Sequence, residues 1–263
     1  MNFINFIRAE FIKLRYWPIY WLCGFVLVSI SAILFTAHFM DPSSIGGLGE
    51  NPWNKLFFAN NAMFSTFMAT PFVVLFISAV VFIEHQSNAW KFQYTSPVSR
   101  ISIVLSKLIT FTLSMMAFFL VLSIMTIVVG YLLDFFLPEL EFSFNRIGLF
   151  SYYKASVHLF ISLLGIIAIQ FFLSYQFKGF LVPASFGILS FILGLILGTV
   201  NNPAAKFFPY SFPLVSKDVG MFNNDGLNII DYGFINSIQL SSIIFFLIFT
   251  ILLLIFESRK NIK

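Results

Sequence analysis

The stretch EHQSNAWKFQYTSPVSR, residues 84–100, is a polar island between two long apolar runs. The runs on either side, at residues 62–83 and 101–133, each reach the roughly 20 residues that carry a helix across the ~30 Å hydrocarbon core of a bilayer. Working outward, further runs of this kind occupy residues 17–39, 153–175, 180–200 and 237–256. The chain of 263 residues is 59% apolar and only 10% charged, and its mean hydropathy is +0.92. A soluble domain of this size needs far more polar surface to face water. The composition therefore predicts an all-α integral membrane protein with six transmembrane helices. The first run is long enough to span and no Ala-x-Ala pattern follows it, so it is expected to remain as a helix in the membrane.

Charge placement sets the orientation. With both termini cytoplasmic, the inside segments hold ten basic residues and the outside segments five, while eight of the eleven acidic residues fall outside. This is the asymmetry of the positive-inside rule, and it places the 84–100 island in the cytoplasm. The net charge of +4 is distributed in short segments beside the spans, so it reads as topology and not as a nucleic-acid surface.

Ahead of the first span, Phe3, Ile4, Ile7, Phe11 and Leu14 recur near a helical period opposite Asn2, Asn5, Ala9 and Lys13. This suits residues 1–15 as an amphipathic helix in the inner interface, with Phe6 and Ile12 blurring the pattern. A plain extension of the first span fits the periodicity as well. In the fifth span Ser190, Gly194 and Gly198 lie four apart, either letting another helix approach closely or reflecting the glycine content of membrane helices. The lone cysteine, Cys23, lies within an apolar run and reads as a packing residue, with no intrachain disulfide available.

The chemistry that is missing narrows the function. The ionisable residues of the spans, His38, Lys107, Asp134, Lys154 and His158, lie near span ends, whereas ion-coupled transporters place such groups in mid-membrane. Gln170 is the most polar side chain well inside a span, with Ser174 one turn on; it reads as an interhelical hydrogen-bonding group or as a substrate contact. His38, His85 and His158 are dispersed, and no phosphate-binding or hydrolase motif occurs, so neither a metal site nor a catalytic residue is readable. A multi-span protein without its own energy source is a channel, a scaffold, or a subunit driven by a partner.

Within the island, Trp90, Phe92 and Tyr94 form an aromatic centre, and Pro97 biases Ser96 out of the helical region. A short helix over about 85–94 is expected, lying across the inner surface as a docking element or as a loop with an aromatic anchor. Glu84, Asn88, Trp90-Lys91, Pro97, Ser99-Arg100 and Lys107 resemble the first cytoplasmic loop of ABC-2 type permeases, especially those of lantibiotic (bacteriocin) immunity and bacitracin resistance. Asn51-Pro52-Trp53 in the first outer loop, Ala168-Ile169-Gln170 with Leu173-Ser174, and Phe208-Pro209-Tyr210-Ser211-Phe212-Pro213 agree in order and spacing.

The resemblance implies a single permease domain of the ABC-2 (type V exporter) fold in the bacterial cytoplasmic membrane. It would pair with a second permease, as a homodimer or heterodimer, and dock on two copies of a separate ATP-binding subunit that carries ATP and Mg²⁺. This chain itself would bind no cofactor. Residues 84–100 would form the coupling helix, with Glu84, His85, Asn88, Trp90, Lys91, Pro97 and Arg100 facing the ATPase. Gln170, Ser174 and Tyr210 would lie on the substrate path, Ser190, Gly194 and Gly198 would serve helix packing, and residues 201–236 would form re-entrant or short outer helices over the exit. The implied cargo is an amphipathic peptide antibiotic. Another hydrophobic cargo, such as a lipid or drug, is the alternative; the 38 phenylalanines would suit any greasy cargo but read rather as lipid-facing and core residues, and an ATP-independent channel or scaffold is the reading from a different class.

Overall fold

Backbone buried in lipid has no water to bond, so apolar runs must satisfy their amides internally. A computed structural model of the chain describes residues 3–15, 19–45, 51–87, 89, 99–200, 202–216 and 235–259. Among these residues no strand occurs. The long helices are α1 (Phe3–Arg15), α2 (Ile19–Met40), α3 (Pro52–Gln86), α4 (Arg100–Phe136), α5 (Leu149–Gln176), α6 (Leu181–Thr199) and α7 (Ser237–Arg259). All but α1 are long and apolar enough to cross a membrane, which gives the six expected spans.

Local signals explain where the helices begin. Asn51 caps α3, its side chain accepting from the Trp53 amide at 3.0 Å, and Pro52 fills the first helical position, where no amide is required. Ser99 caps α4 by accepting from the Ser102 amide at 3.2 Å. At 1.5 Å per residue α4, with its 37 residues, is about 55 Å long and exceeds the hydrocarbon core at its ends. Midway along α3, Phe64–Met68 form a π-helical turn, with the Ala69 amide donating to the Phe64 carbonyl.

The Asn51-Pro52-Trp53 motif, expected in an outer loop, instead opens α3 about ten residues before the apolar run at 62. The polar residues Asn54, Lys55, Asn60 and Asn61 hide this helical start from a hydropathy reading. Trp53 is fully buried, and its Nε1 donates to the Phe142 carbonyl at 2.9 Å. Its ring lies against Gly130 of α4 so closely that a Cβ there would sit 2.4 Å from the indole. Asn51 also donates to the Arg146 carbonyl at 2.8 Å, so the start of α3 is tied to the α4–α5 connection.

α5 is the central helix. In its most apolar stretch 67% of residues are buried, against 22% in α2, α6 and α7. These outer helices present Trp21, Phe25, Leu189, Leu193, Leu247 and Ile251 outward. Where α7 crosses α5, Ser242 donates to the Ser162 carbonyl at 3.0 Å and accepts from the Gly165 amide at 3.0 Å. Gly165 allows this approach, since a Cβ would stand 3.2 Å from the Ser242 carbonyl.

After α6 the chain turns back into the bundle through two 3₁₀ turns, Pro203–Lys206 and Pro209–Ser211, and one α-turn, Phe212–Val215. Pro209 through Leu214 are all buried. The Tyr210–Ser211 backbone packs on Gly194, where a Cβ would meet the Tyr210 carbonyl at 2.7 Å, and Leu214 packs on Gly198. Gly194 lies five residues before the end of α6, so the segment dips about 8 Å below that end. The stripe Ser190, Gly194 and Gly198, read as admitting another helix or as ordinary membrane-helix glycine content, thus receives re-entrant backbone at Gly194 and the Leu214 side chain at Gly198, and Ser190 is half-buried. Non-helical backbone at this depth is tolerated because protein covers it.

Gly130→Ala forces a methyl into the Trp53 ring and should cost about 1–3 kcal/mol. Gly24→Ala, whose added methyl meets nothing within 4 Å, should cost far less. Thermal melting of the two variants in detergent checks this, and equal midpoints would refute the close-packing account.

Candidate functional site

The site begins with α1. At 100° per residue its buried side chains, Phe6 and Glu10 with half-buried Lys13, centre roughly a quarter turn away from the expected Phe3–Ile4–Ile7–Phe11–Leu14 stripe. Ile4 and Ile12 are exposed at 75% and 50%. The amphipathic helix thus turns its Glu10 and Lys13 toward the bundle, the reverse of a helix in water, because the surroundings here are apolar and charges seek the interior.

What they meet are two buried charges. Glu84, in the last turn of α3, and Lys107, two turns into α4, are 1% and 2% exposed. Lys107 Nζ donates to Glu84 Oε1 and, at 3.1 Å, to Glu10 Oε2. Lys13 Nζ donates to Glu10 Oε1 at 2.8 Å and stands 3.9 Å from Glu84 Oε1. Two carboxylates and two ammonium groups from three helices are thereby joined at the end of the bundle that carries α1. Removing one member would leave a buried charge uncompensated, which costs far more than the loss of a surface pair.

This geometry revises the expected docking surface. Glu84 faces the interior, because a carboxylate in the last turn of a spanning helix is best compensated by the lysine of the next helix. His85, half-buried, approaches the Ser174 carbonyl of α5 at 3.3 Å. Arg100 opens α4 and is half-buried. Asn88, Trp90, Lys91 and Pro97 lie outside the described residues. α3 runs on through Gln86, so Glu84 and His85 belong to the spanning helix, not to a separate helix beginning at the island.

The three residues expected on the substrate path are brought together. Gln170, fully buried on α5, donates to Ser78 Oγ of α3 at 2.7 Å and to the Pro183 carbonyl of α6 at 2.8 Å. The Tyr210 hydroxyl reaches its Oε1 at 3.4 Å, and the Ser174 hydroxyl lies 3.5 Å from Ser78 Oγ. Gly187 makes room for this, since a Cβ there would stand 2.7 Å from Gln170 Oε1. The network ties α3, α5, α6 and the re-entrant segment at one point, the interhelical bonding that was one of the two readings of Gln170.

Sequence reasoning missed Glu10, Glu257 and the Asn60 network. Glu257, in the last turn of α7, is 2% exposed and accepts from the Tyr175 hydroxyl. Asn60 donates to Tyr152 Oη at 3.0 Å, which in turn donates to Thr126 Oγ1 at 3.1 Å. The available signals were an acidic residue three before a lysine on α1 and an acid inside the last turn of an apolar run. Among the described residues no group of three or more metal-ligating side chains occurs.

The family model for ABC-2 family transporter protein matches residues 6–196. The chain belongs to the ABC-2 transporter family. It is a permease of the multi-pass membrane type, in a family whose members are generally non-catalytic transmembrane subunits that partner with an ABC ATP-binding subunit. The match begins inside α1 and takes in all four members of the ionic cluster and Gln170. It ends within α6, ahead of Tyr210 and Glu257. No curated protein matches the permease closely enough to count as a relative.

Lys107→Met should cost about 3–5 kcal/mol by stranding buried carboxylate charge, seen as loss of folded permease from the membrane fraction. Gln170→Leu keeps the volume but removes two interhelical bonds, and should cost about 1–2 kcal/mol in detergent melts. A Gln170→Leu midpoint equal to wild type would contradict the role assigned to the network.

Proposed function

We propose that this permease exports an amphipathic peptide antibiotic from the bacterial cytoplasmic membrane, driven by a separate ATP-binding subunit. The observation that supports the transporter part of this reading is the ABC-2 family match over residues 6–196, a range that takes in α3, the 84–100 segment and α4. The permease pair docks on two copies of the ATP-binding subunit, this chain through residues 84–100 on the cytoplasmic side, with Trp90, Lys91 and Arg100 as the contacts. ATP and Mg²⁺ bind on that subunit and none on this chain. A second permease, identical or related, completes the membrane unit, and both termini are cytoplasmic.

The positive-inside asymmetry and the charged α1 end of the bundle support this orientation. The outward apolar faces of α2, α6 and α7 support a lipid-embedded pair that takes amphipathic cargo from the bilayer. The peptide cargo follows from the likeness of the 84–100 segment to lantibiotic-immunity permeases.

Co-expression with the neighbouring ATP-binding subunit should allow both to be isolated together in mild detergent and should raise resistance to a pore-forming lantibiotic. Trp90→Ala with Lys91→Ala should abolish peptide-stimulated ATP hydrolysis while basal hydrolysis persists. Unchanged stimulation would remove the 84–100 segment from coupling, and unchanged resistance would point to a lipid or drug cargo.

A further inference from the structure

The ionic cluster has a property that a simple salt bridge lacks. Lys107 contacts both Glu84 and Glu10, and Lys13 contacts Glu10 and stands 3.9 Å from Glu84. Each ammonium group therefore addresses both carboxylates, and the four charges can be satisfied in two ways. In the arrangement seen, Lys107 serves chiefly Glu84 while Lys13 serves Glu10. In the alternative, Lys107 serves Glu10 and Lys13 closes the remaining gap of about 1 Å to Glu84, reaching charge-assisted bonding distance.

Space for such a change exists beside the cluster. Glu84 Oε2 is buried and makes no hydrogen bond. A small cavity walled by the four charges with Val80, Thr110 and Phe111 lies next to it. Its size suits one water, which could bond Glu84 Oε2 and the Thr110 hydroxyl during an exchange. Lys13 is 35% exposed at its side chain and keeps the freedom to move, whereas Lys107 at 2% is held by α3 and α4.

The position of the cluster matters as much as its chemistry. Glu84 lies in the last turn of α3, and Lys107 two turns after the start of α4. The cluster thus grips both stalks of the 84–100 segment, and α1 closes it from the side. A buried ion pair is a weak means of stabilisation, since a well-packed apolar pair does as well. A set of charges with two available pairings is instead a two-state element, able to let packed helices shift without stranding a charge.

We infer that Glu10, Lys13, Glu84 and Lys107 form a partner-exchange joint, by which α1 shifts against α3 and α4 when the 84–100 segment moves. Lys107 and Glu84 hold the joint together, and Glu10 and Lys13 are the exchanging pair that positions α1. The joint rests on the transporter reading above, because the ATP-binding subunit supplies the movement.

The test uses the full-length permease, with Cys23→Ser, spin-labelled at Ile12→Cys on the exposed face of α1 and at Gln86→Cys at the end of α3, alone and with its ATP-binding subunit. The background with native charges should give two distance populations whose ratio shifts on ATP loading. Glu10→Gln and Lys13→Met, which leave the Lys107–Glu84 pair intact, should each collapse them to one and lower peptide transported per ATP hydrolysed about tenfold. Reversing all four charges together restores both pairings and should recover both readouts. A structural role alone would lower folded protein and activity in step, with the transport-to-hydrolysis ratio unchanged. One distance population in every state of the native-charge protein, or an unchanged ratio in Glu10→Gln, would overturn the joint. If no ATP-binding subunit associates with the wild type, the transporter reading fails first and is recognised separately.

Discussion

Lys107 is the constraint around which the α1 end of this permease is arranged. An ammonium group two turns inside a spanning helix is costly unless anions meet it there. Glu84 and Glu10 do so from two other helices. Once both are engaged, α1 can no longer lie freely in the interface, since its Glu10 is needed between α3 and α4 at that end of the bundle. The rotation of α1 and the inward course of Glu84 both follow from one buried cation.

At greater depth the same rule acts through neutral groups. Gln170 could not sit bare in an apolar bundle, and its amide is satisfied by Ser78 and by the Pro183 carbonyl. Its position on the central helix α5 means that satisfying it draws α3, α6 and Tyr210 together. The re-entrant segment is then fixed by the absence of side chains, for Gly194 leaves room for its Tyr210–Ser211 backbone and Gly198 for Leu214. Polar satisfaction and small-residue packing, not net hydrophobic attraction, hold such helices together in lipid.

Much of this was legible beforehand. The six spans follow from hydropathy because only helices of that length satisfy their backbone across a bilayer. The resemblance to ABC-2 permeases, carried by the 84–100 segment and the Asn51-Pro52-Trp53 and Gln170 regions, agrees with the family match at the level of the ABC-2 family. The start of α3 was not legible, because Asn54, Lys55, Asn60 and Asn61 break the apolar run although they are helical and, at 60 and 61, buried. Nor was the rotation of α1, since periodicity identifies an apolar stripe but not which side of a lipid-embedded helix meets protein.

The sequence by itself determined the class of the molecule, the number of its membrane crossings and the family to which it belongs, all properties of composition and of short ordered motifs. Only the tertiary structure decided the partners of its buried polar groups. Glu10 and Lys107 are 97 positions apart, and Gln170 and Tyr210 are 40 apart. No local pattern encodes such pairings, because they are set by how helices cross and by the cost of leaving any one of those groups alone in an apolar interior.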